Sequence, residues 1–233
     1  MKNALKKSPS GFSLIELLVV CAILAVVAGF TVPAASTALK GSQMTQGAQM
    51  LSDQIALARQ SALTKNVSIE FRIYKFGDAE IPGERADAPA TGKYRAFQTF
   101  EILDSGVAVP LGKIQRLPNT VVFNETKLSS LIELAGPTQP PMKGDATTDN
   151  TAPQLAGGVN KNYQWAAFRF LPNGGTNLDP DPNKLWYVTL HGITASPTAT
   201  TKVTDDKDAP INFFTLQIDA VSGKSKSYRP TAG

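Results

Sequence analysis

Hydrophobic and polar positions change rhythm twice along the chain. From Leu17 to Val32 sixteen residues pass without a charge, and Phe12–Glu16 brings the run close to the roughly 20 residues with which an α-helix crosses hydrocarbon. Next, Met44, Ala48, Leu51, Ile55, Ala58 and Ala62 recur at spacings of 4, 3, 4, 3 and 4, which is one face of a helix. Gln43, Gln49, Asp53, Arg59 and Gln60 fall mostly elsewhere. Pro33, with Gly29 before it, is expected to kink or loosen the helix. Thr64-Lys65-Asn66 is expected to end it, with a basic residue in the last turn and an asparagine suited to a left-handed cap. The pattern therefore predicts one helix of about fifty residues, apolar in its first half and amphipathic in its second.

After Asn66 the period drops to two. Val67, Ile69, Phe71 and Ile73 share one face of a strand over Val67–Tyr74. Further strands are predicted at Arg95–Leu103, Val107–Val109, Lys113–Leu117, Thr120–Asn124, Gln164–Leu171, Leu185–His191, Phe213–Ala220 and Lys224–Tyr228. Val221-Ser222-Gly223-Lys224 reads as a hairpin turn, and Ser129–Leu134 as a helical turn. With no long helix after Asn66, crossover connections and a parallel sheet are not expected. The fold class is α+β: a long N-terminal helix, membrane-spanning then amphipathic, packed on an antiparallel β-rich head. Four long loops rich in Pro, Gly, Asp and Thr interrupt the strands: Gly77–Lys93, Gly136–Asn162, Pro172–Lys184 and Ala195–Pro210.

Charge sharpens the N-terminal reading. The formal net charge is +4, but Lys2, Lys6 and Lys7 precede Gly11 and no acid does. Without those eleven residues the 23 basic side chains fall to 20 against 19 acids. The same bias keeps the N-terminus cytoplasmic and sends the rest across the membrane. The one cysteine, Cys21, lies in the apolar run, reads as a small apolar membrane residue, and cannot form an intrachain disulfide.

An ordinary secretory signal peptide competes for this segment, with Val32-Pro33-Ala34 or Pro33-Ala34-Ala35 as weak cleavage sites. Against it stand Glu16 inside the run and the amphipathic helix that follows. Lys6-Lys7-Ser8-Pro9-Ser10-Gly11, then Phe12-Ser13-Leu14-Ile15-Glu16-Leu17-Leu18, resembles the start of type IV pilins and of the pseudopilins of type II secretion. The resemblance covers about the first 30 residues. It implies a prepilin peptidase cutting between Gly11 and Phe12, N-methylation of the new amine of Phe12, and a pairing of Glu16 with the amino terminus of a neighbouring pilin or pseudopilin subunit. An isolated charge in a bilayer is costly, so a partner for Glu16 is expected; its reach to the headgroups from near the end of the run is the other account.

The head adds shorter motifs. Phe170-Leu171-Pro172-Asn173-Gly174, Ile218-Asp219 with Ser222-Gly223-Lys224, and Tyr228-Arg229-Pro230 resemble the minor pseudopilins related to FimT and the H component of type II secretion. Met50–Phe76 and the overall length resemble the family called Verru_Chthon cassette protein D. The resemblance implies a pilin-like lollipop: a leader over 1–11, a helix over 12–65 whose 12–35 is the transmembrane and assembly segment, and a β-rich head over 66–233. It places the chain in the inner membrane as a single-pass protein with an extracytoplasmic head, then in a pilus or pseudopilus.

Catalytic chemistry is not expected. The lone histidine, His191, falls in a predicted strand, and no G-x-S-x-G nucleophile elbow or glycine-rich phosphate loop occurs; Gly157-Gly158 and Gly174-Gly175 sit in turn contexts. Asp179-Pro180-Asp181-Pro182-Asn183 and Asp205-Asp206-Lys207-Asp208 present oxygens as a calcium loop would, but lack the glycine and distal glutamate of an EF-hand and read as solvated loops. No cofactor, metal or small-molecule substrate is expected. The alternative function is a minor pilin that binds DNA or a surface through its head and through Lys224, Lys226 and Arg229 beside Tyr228. Three cations on a nearly neutral processed chain weigh against nucleic acid.

Overall fold

The computed structural model describes residues 13–81, 83–148, 152–155, 158–193 and 212–229, with backbone alone over 28–38. Helix α1 runs Leu14–Lys65, 52 residues, and is assigned without a break across Pro33. It stops where the sequence predicts. Asn66 takes the left-handed conformation at φ 56°, which asparagine tolerates better than most residues. The chain divides into two compact units, Met1–Gly41 and Ser42–Gly233, so α1 begins in one and ends in the other.

In the second unit a ten-stranded sheet packs beneath the helix. Its strands are β1 (Ser68–Phe76), β2 (Lys93–Ile102), β3 (Ala108–Pro110), β4 (Gln115–Arg116), β5 (Val121–Phe123), β6 (Met142–Asp145), β7 (Gln164–Phe170), β8 (Trp186–Gly192), β9 (Phe213–Ile218) and β10 (Ser225–Tyr228). A single helical turn, α2 (Ser130–Glu133), lies between β5 and β6. The spatial order is β10-β9-β8-β5-β2-β1-β7-β6, with β3 and β4 also pairing β2, and every ladder is antiparallel. Because paired strands run antiparallel, their connections, short between β9 and β10 and long between β1 and β2, need no crossover helix.

The two faces of the sheet are buried by different means. On one face Met44, Ala48, Leu51, Ile55, Ala58 and Ala62 of α1 lie buried against Ile69, Phe71 and Ile73 of β1, with Phe97, Phe168 and Phe170 alongside. Phe71 stacks on Phe97 at 5.5 Å between ring centroids, and Phe168 meets Phe170 edge-on at 5.2 Å, arrangements that aromatic quadrupoles favour. On the other face Tyr74, Phe76, Ala96 and Phe100 are covered by Ala146, Ala152, Leu155, Val159 and Tyr163. These five come from the stretch that the sequence reads as the loop Gly136–Asn162 and the residue just after it.

That stretch also holds β6, which the pattern does not predict. Met-Lys-Gly-Asp has no apolar alternation, and the strand forms because it is paired: Met142 opposes Ala167 and Gly144 opposes Trp165. A Cβ on Gly144 would lie 2.3 Å from the Trp165 ring, so the indole occupies the space a side chain there would need.

Candidate assembly segment and the junctions of the head

The first unit carries the candidate assembly segment. Gly11 and Phe12 lie outside the described residues, and the side chains of the expected 12–35 span are described only over 13–27. Among the described residues no helix is long and apolar enough to cross a membrane. Within Leu14–Val27, ten large apolar side chains are exposed: Leu14, Ile15, Leu17, Leu18, Val19, Val20, Ile23, Leu24, Val26 and Val27. Cys21 is exposed among them. A helix stretch that is apolar on every side has no face suited to water, and lipid or other helices are the surroundings that cover such a surface.

Glu16 opens that helix with a local task. The Ser13 N–H donates to Glu16 Oε2 at 3.0 Å, and the Ile15 N–H donates to Ser13 Oγ at 3.2 Å. This is a capping box: serine at the N-cap and glutamate three residues later each accept an amide that no helical carbonyl can reach. The carboxylate also stands in the first turn, at the positive end of the helix dipole. Ser-x-x-Glu is visible in the sequence at Ser13–Glu16, and only the membrane context draws attention away from it.

The two short motifs of the head meet at one junction beneath α1. Arg59 Nε–H is shared between the carbonyls of Gly174 at 3.1 Å and Ser222 at 2.9 Å, so one helix side chain holds the turn after β7 and the turn after β9. Gly174 and Gly223 have φ of 81° and 63°, open to glycine and strained for other residues. A Cβ on Gly223 would lie 2.3 Å from the Gly174 carbonyl oxygen, and one on Gly175 2.4 Å from that of Val221. Thr176 closes the junction, its N–H and Oγ1–H both donating to the Ala220 carbonyl at 3.0 and 2.8 Å. These motifs are packing devices; Arg59, which the sequence reading counts only as a polar off-face residue, is the part it misses.

The basic C-terminal residues Lys224, Lys226 and Arg229 each have a contact within the second unit. Arg229 Nη1 donates to Thr45 Oγ1 on α1 at 3.0 Å, and Lys226 Nζ sits 5.0 Å over the Tyr228 ring. Lys224 lies in the turn before β10, where its N–H donates to Ser222 Oγ at 3.3 Å.

Several other titratable groups are held structurally. His191, in β8, has Nδ1 2.9 Å from the Gly192 carbonyl, and burial pushes its imidazole below the ordinary range. Nearby, Lys75 and Lys93 bracket Glu125 at 2.6 and 3.3 Å. Burial works against the Glu125 carboxylate, yet the two lysines hold it below the usual carboxylate range. Asp179 pairs with Lys184 Nζ at 2.5 Å and accepts the Asp181 N–H at 3.1 Å; Asp181 accepts the Asn183 N–H at 2.9 Å. Both Asp179 oxygens and Asp181 Oδ1 brace the turn itself. Among the described residues no group of three His, Cys, Asp or Glu is placed to hold a metal ion. Asp205, Asp206 and Asp208 lie outside the described residues.

Among curated proteins none matches the chain. Loose similarity links it to the minor pseudopilin EpsH from the type 2 secretion system of Vibrio cholerae, at 8% identity and a TM-score of 0.39 over 82% of this chain and 99% of that one. A second similarity is to the type IV minor pilin FimU of Pseudomonas aeruginosa, at 11% identity and a TM-score of 0.35 over 81% and 98%. At those scores neither likeness decides what this chain does. Residues 6–32 match the family model of the prokaryotic N-terminal methylation motif, a span that holds Gly11, Phe12 and Glu16 together.

Proposed function

We propose that this chain is a structural, non-enzymatic subunit of the minor pilin or pseudopilin kind, built into a type IV pilus or a type II secretion-like pseudopilus. A prepilin peptidase cuts it between Gly11 and Phe12, and the new amine of Phe12 is methylated. Residues 1–11 are the leader, 12–65 the helix and 66–233 the head, with 12–35 held in the inner membrane, the N-terminus cytoplasmic and the head outside. Its short motifs resemble the FimT-like and H-component pseudopilins and the Verru_Chthon cassette protein D family. The observation that carries this reading is the ring of exposed apolar side chains over Leu14–Val27, inside the span that matches the methylation motif.

Moving such a helix from lipid to a bundle exchanges one apolar surrounding for another, so assembly needs close packing and a polar contact to fix register. Glu16 supplies that contact. Its Oε2 caps its own helix, while Oε1 has no hydrogen-bond partner among the described residues and meets the methylated amine of a neighbouring Phe12. Intact mass and peptide mapping of protein purified from membranes test the reading. The expected product begins at Phe12 and carries one N-methyl group; cleavage after Ala34 or Ala35 would overturn it.

A further inference from the structure

The sheet face opposite α1 carries an ionic cluster that the assembly role leaves unused. Glu70 of β1 is buried, with 4% of its surface exposed. It accepts Arg72 Nε on Oε1 at 2.5 Å and Arg169 Nε on Oε2 at 2.7 Å. Two guanidinium groups on one carboxylate leave an excess positive charge in a partly desolvated place, which an anion would relieve. Arg72 is accounted for: its guanidinium lies 4.3 Å over Phe100 and 5.1 Å from Trp165, beside the Tyr74 hydroxyl. Arg169 is not. Its side chain is 41% exposed, and among the described residues its two Nη groups have no hydrogen-bond partner.

A groove of about 180 Å³ opens at this point. It exists because β6 stops pairing with β7 at Met142 opposite Ala167, while the next outward amide of β7, that of Arg169, is taken by Asn177 Oδ1 at 2.8 Å. Pro140, Met142 and Ala167 give the groove apolar walls; Glu70, Arg169 and Asn177 give it a polar end. A space of this order accepts a benzene-sized body, and a mostly apolar cleft with a few convergent polar groups is the usual form of a small-ligand site.

We propose that this groove binds a carboxylate attached to a small apolar body, with the carboxylate on Arg169 Nη and the Asn177 amide and the body against Met142 and Pro140. Arginine is suited to this because its forked donors match a carboxylate in two parallel bonds. The ligand is a free aromatic or aliphatic acid, or the C-terminal residue of a peptide.

The chain has four methionines, of which, among the described residues, Met142 alone lines the groove, while Met44 and Met50 report on α1 and its core. Full-length protein in non-ionic detergent, labelled at the methionine methyls, is titrated with phenylacetate and with phenylacetamide, against a blank of empty micelles. The Met142 methyl is expected to shift to saturation with the acid, Met44 and Met50 to stay still, and the amide to bind far more weakly. Salt should weaken the acid, since the contact is ionic and partly exposed. Arg169→Gln should weaken it on the order of tenfold, with unmoved Met44 and Met50 signals certifying the fold. If that variant does not fold, the acid-to-amide comparison in the unaltered chain decides. A dipeptide ending in free phenylalanine, beside its C-terminal amide, identifies the source: tighter binding than phenylacetate assigns a chain terminus, weaker binding a free acid. Equal shifts from acid and amide, or no saturable shift of Met142, overturn the proposal.

Discussion

Residues 14–27 and residues 42–65 belong to one helix, yet their apolar side chains obey different rules. Over 42–65 the apolar residues form a single stripe, and that stripe is buried on the sheet; Leu51 and Ala62 are wholly inaccessible. Over 14–27 they occupy every side and are exposed, Leu14 to 87%. A stripe finds its partner within the same chain, because one face of a sheet is enough to cover it. Over 14–27 the apolar side chains lie uncovered among the described residues, and the proposed function assigns their cover to lipid or to other subunits. The same secondary structure serves folding at one end and, in the proposed function, association at the other.

The largest expected effect separates these two uses. Leu51→Ala should cost about 2–5 kcal/mol through lost burial and the cavity left behind. Leu18→Ala should change the stability of the head by less than about 0.5 kcal/mol. Denaturant unfolding of the full chain in detergent, followed through Trp165 and Trp186 in the sheet, measures both. Equal losses would break the comparison.

Next in size is Arg59. Arg59→Ala should cost about 1–3 kcal/mol, because two carbonyls of a crowded junction lose a charged donor. Faster hydrogen exchange is expected at the Thr176 and Gly223 amides, which close that junction. Arg59→Lys should recover little, since a single ammonium on a flexible stem does not reproduce the fixed Nε–H.

At the start of the helix, Ser13→Ala and Glu16→Ala should each cost about 1 kcal/mol of local helix stability, read as exchange at the Ser13 and Ile15 amides. Only Glu16→Ala should impair filament incorporation, because Ser13→Ala leaves the carboxylate in place. Equal incorporation of both variants at the normal level would remove the pairing role and leave Glu16 as a cap.

The smallest effect concerns pH. Burial lowers the folded-state pKa of His191, so the unfolded chain takes up its proton first. That contribution to stability is complete above the ordinary imidazole pKa of about 6.5 and is lost as pH falls below it. His191→Gln should flatten the stability profile between neutrality and the carboxylate range, where Glu125 begins to titrate. An unchanged slope would place the effect elsewhere.

Much of this molecule could be read in advance wherever one period held long enough. The spacing of Met44 through Ala62 names the buried face of α1 residue by residue, and Asn66 marks its end. The strands with strong alternation form where expected. Legibility fails where a segment is held by its neighbours: β6 forms because β7 offers an edge, and the covering of Tyr74 and Phe76 comes from a stretch that reads as loop. It also fails for side chains whose partners are distant in sequence. Arg59 reaches carbonyls 115 and 163 residues away, and Glu70 meets Arg169 across 99. Glu16 is the opposite case, its capping partner lying three residues away and written in the sequence.

By itself, then, the sequence determines the local features of this protein: the apolar run and the Gly11–Phe12–Glu16 motif, the helical stripe, the alternating strands and the antiparallel class. These depend on residue type and spacing alone, over distances shorter than one helix or one strand. Only the tertiary structure decides the strand order, the Arg59 junction and the groove beside Arg169. Each of those depends on which distant segments meet, and the burial of a whole sheet face, summed over many residues, selects that outcome.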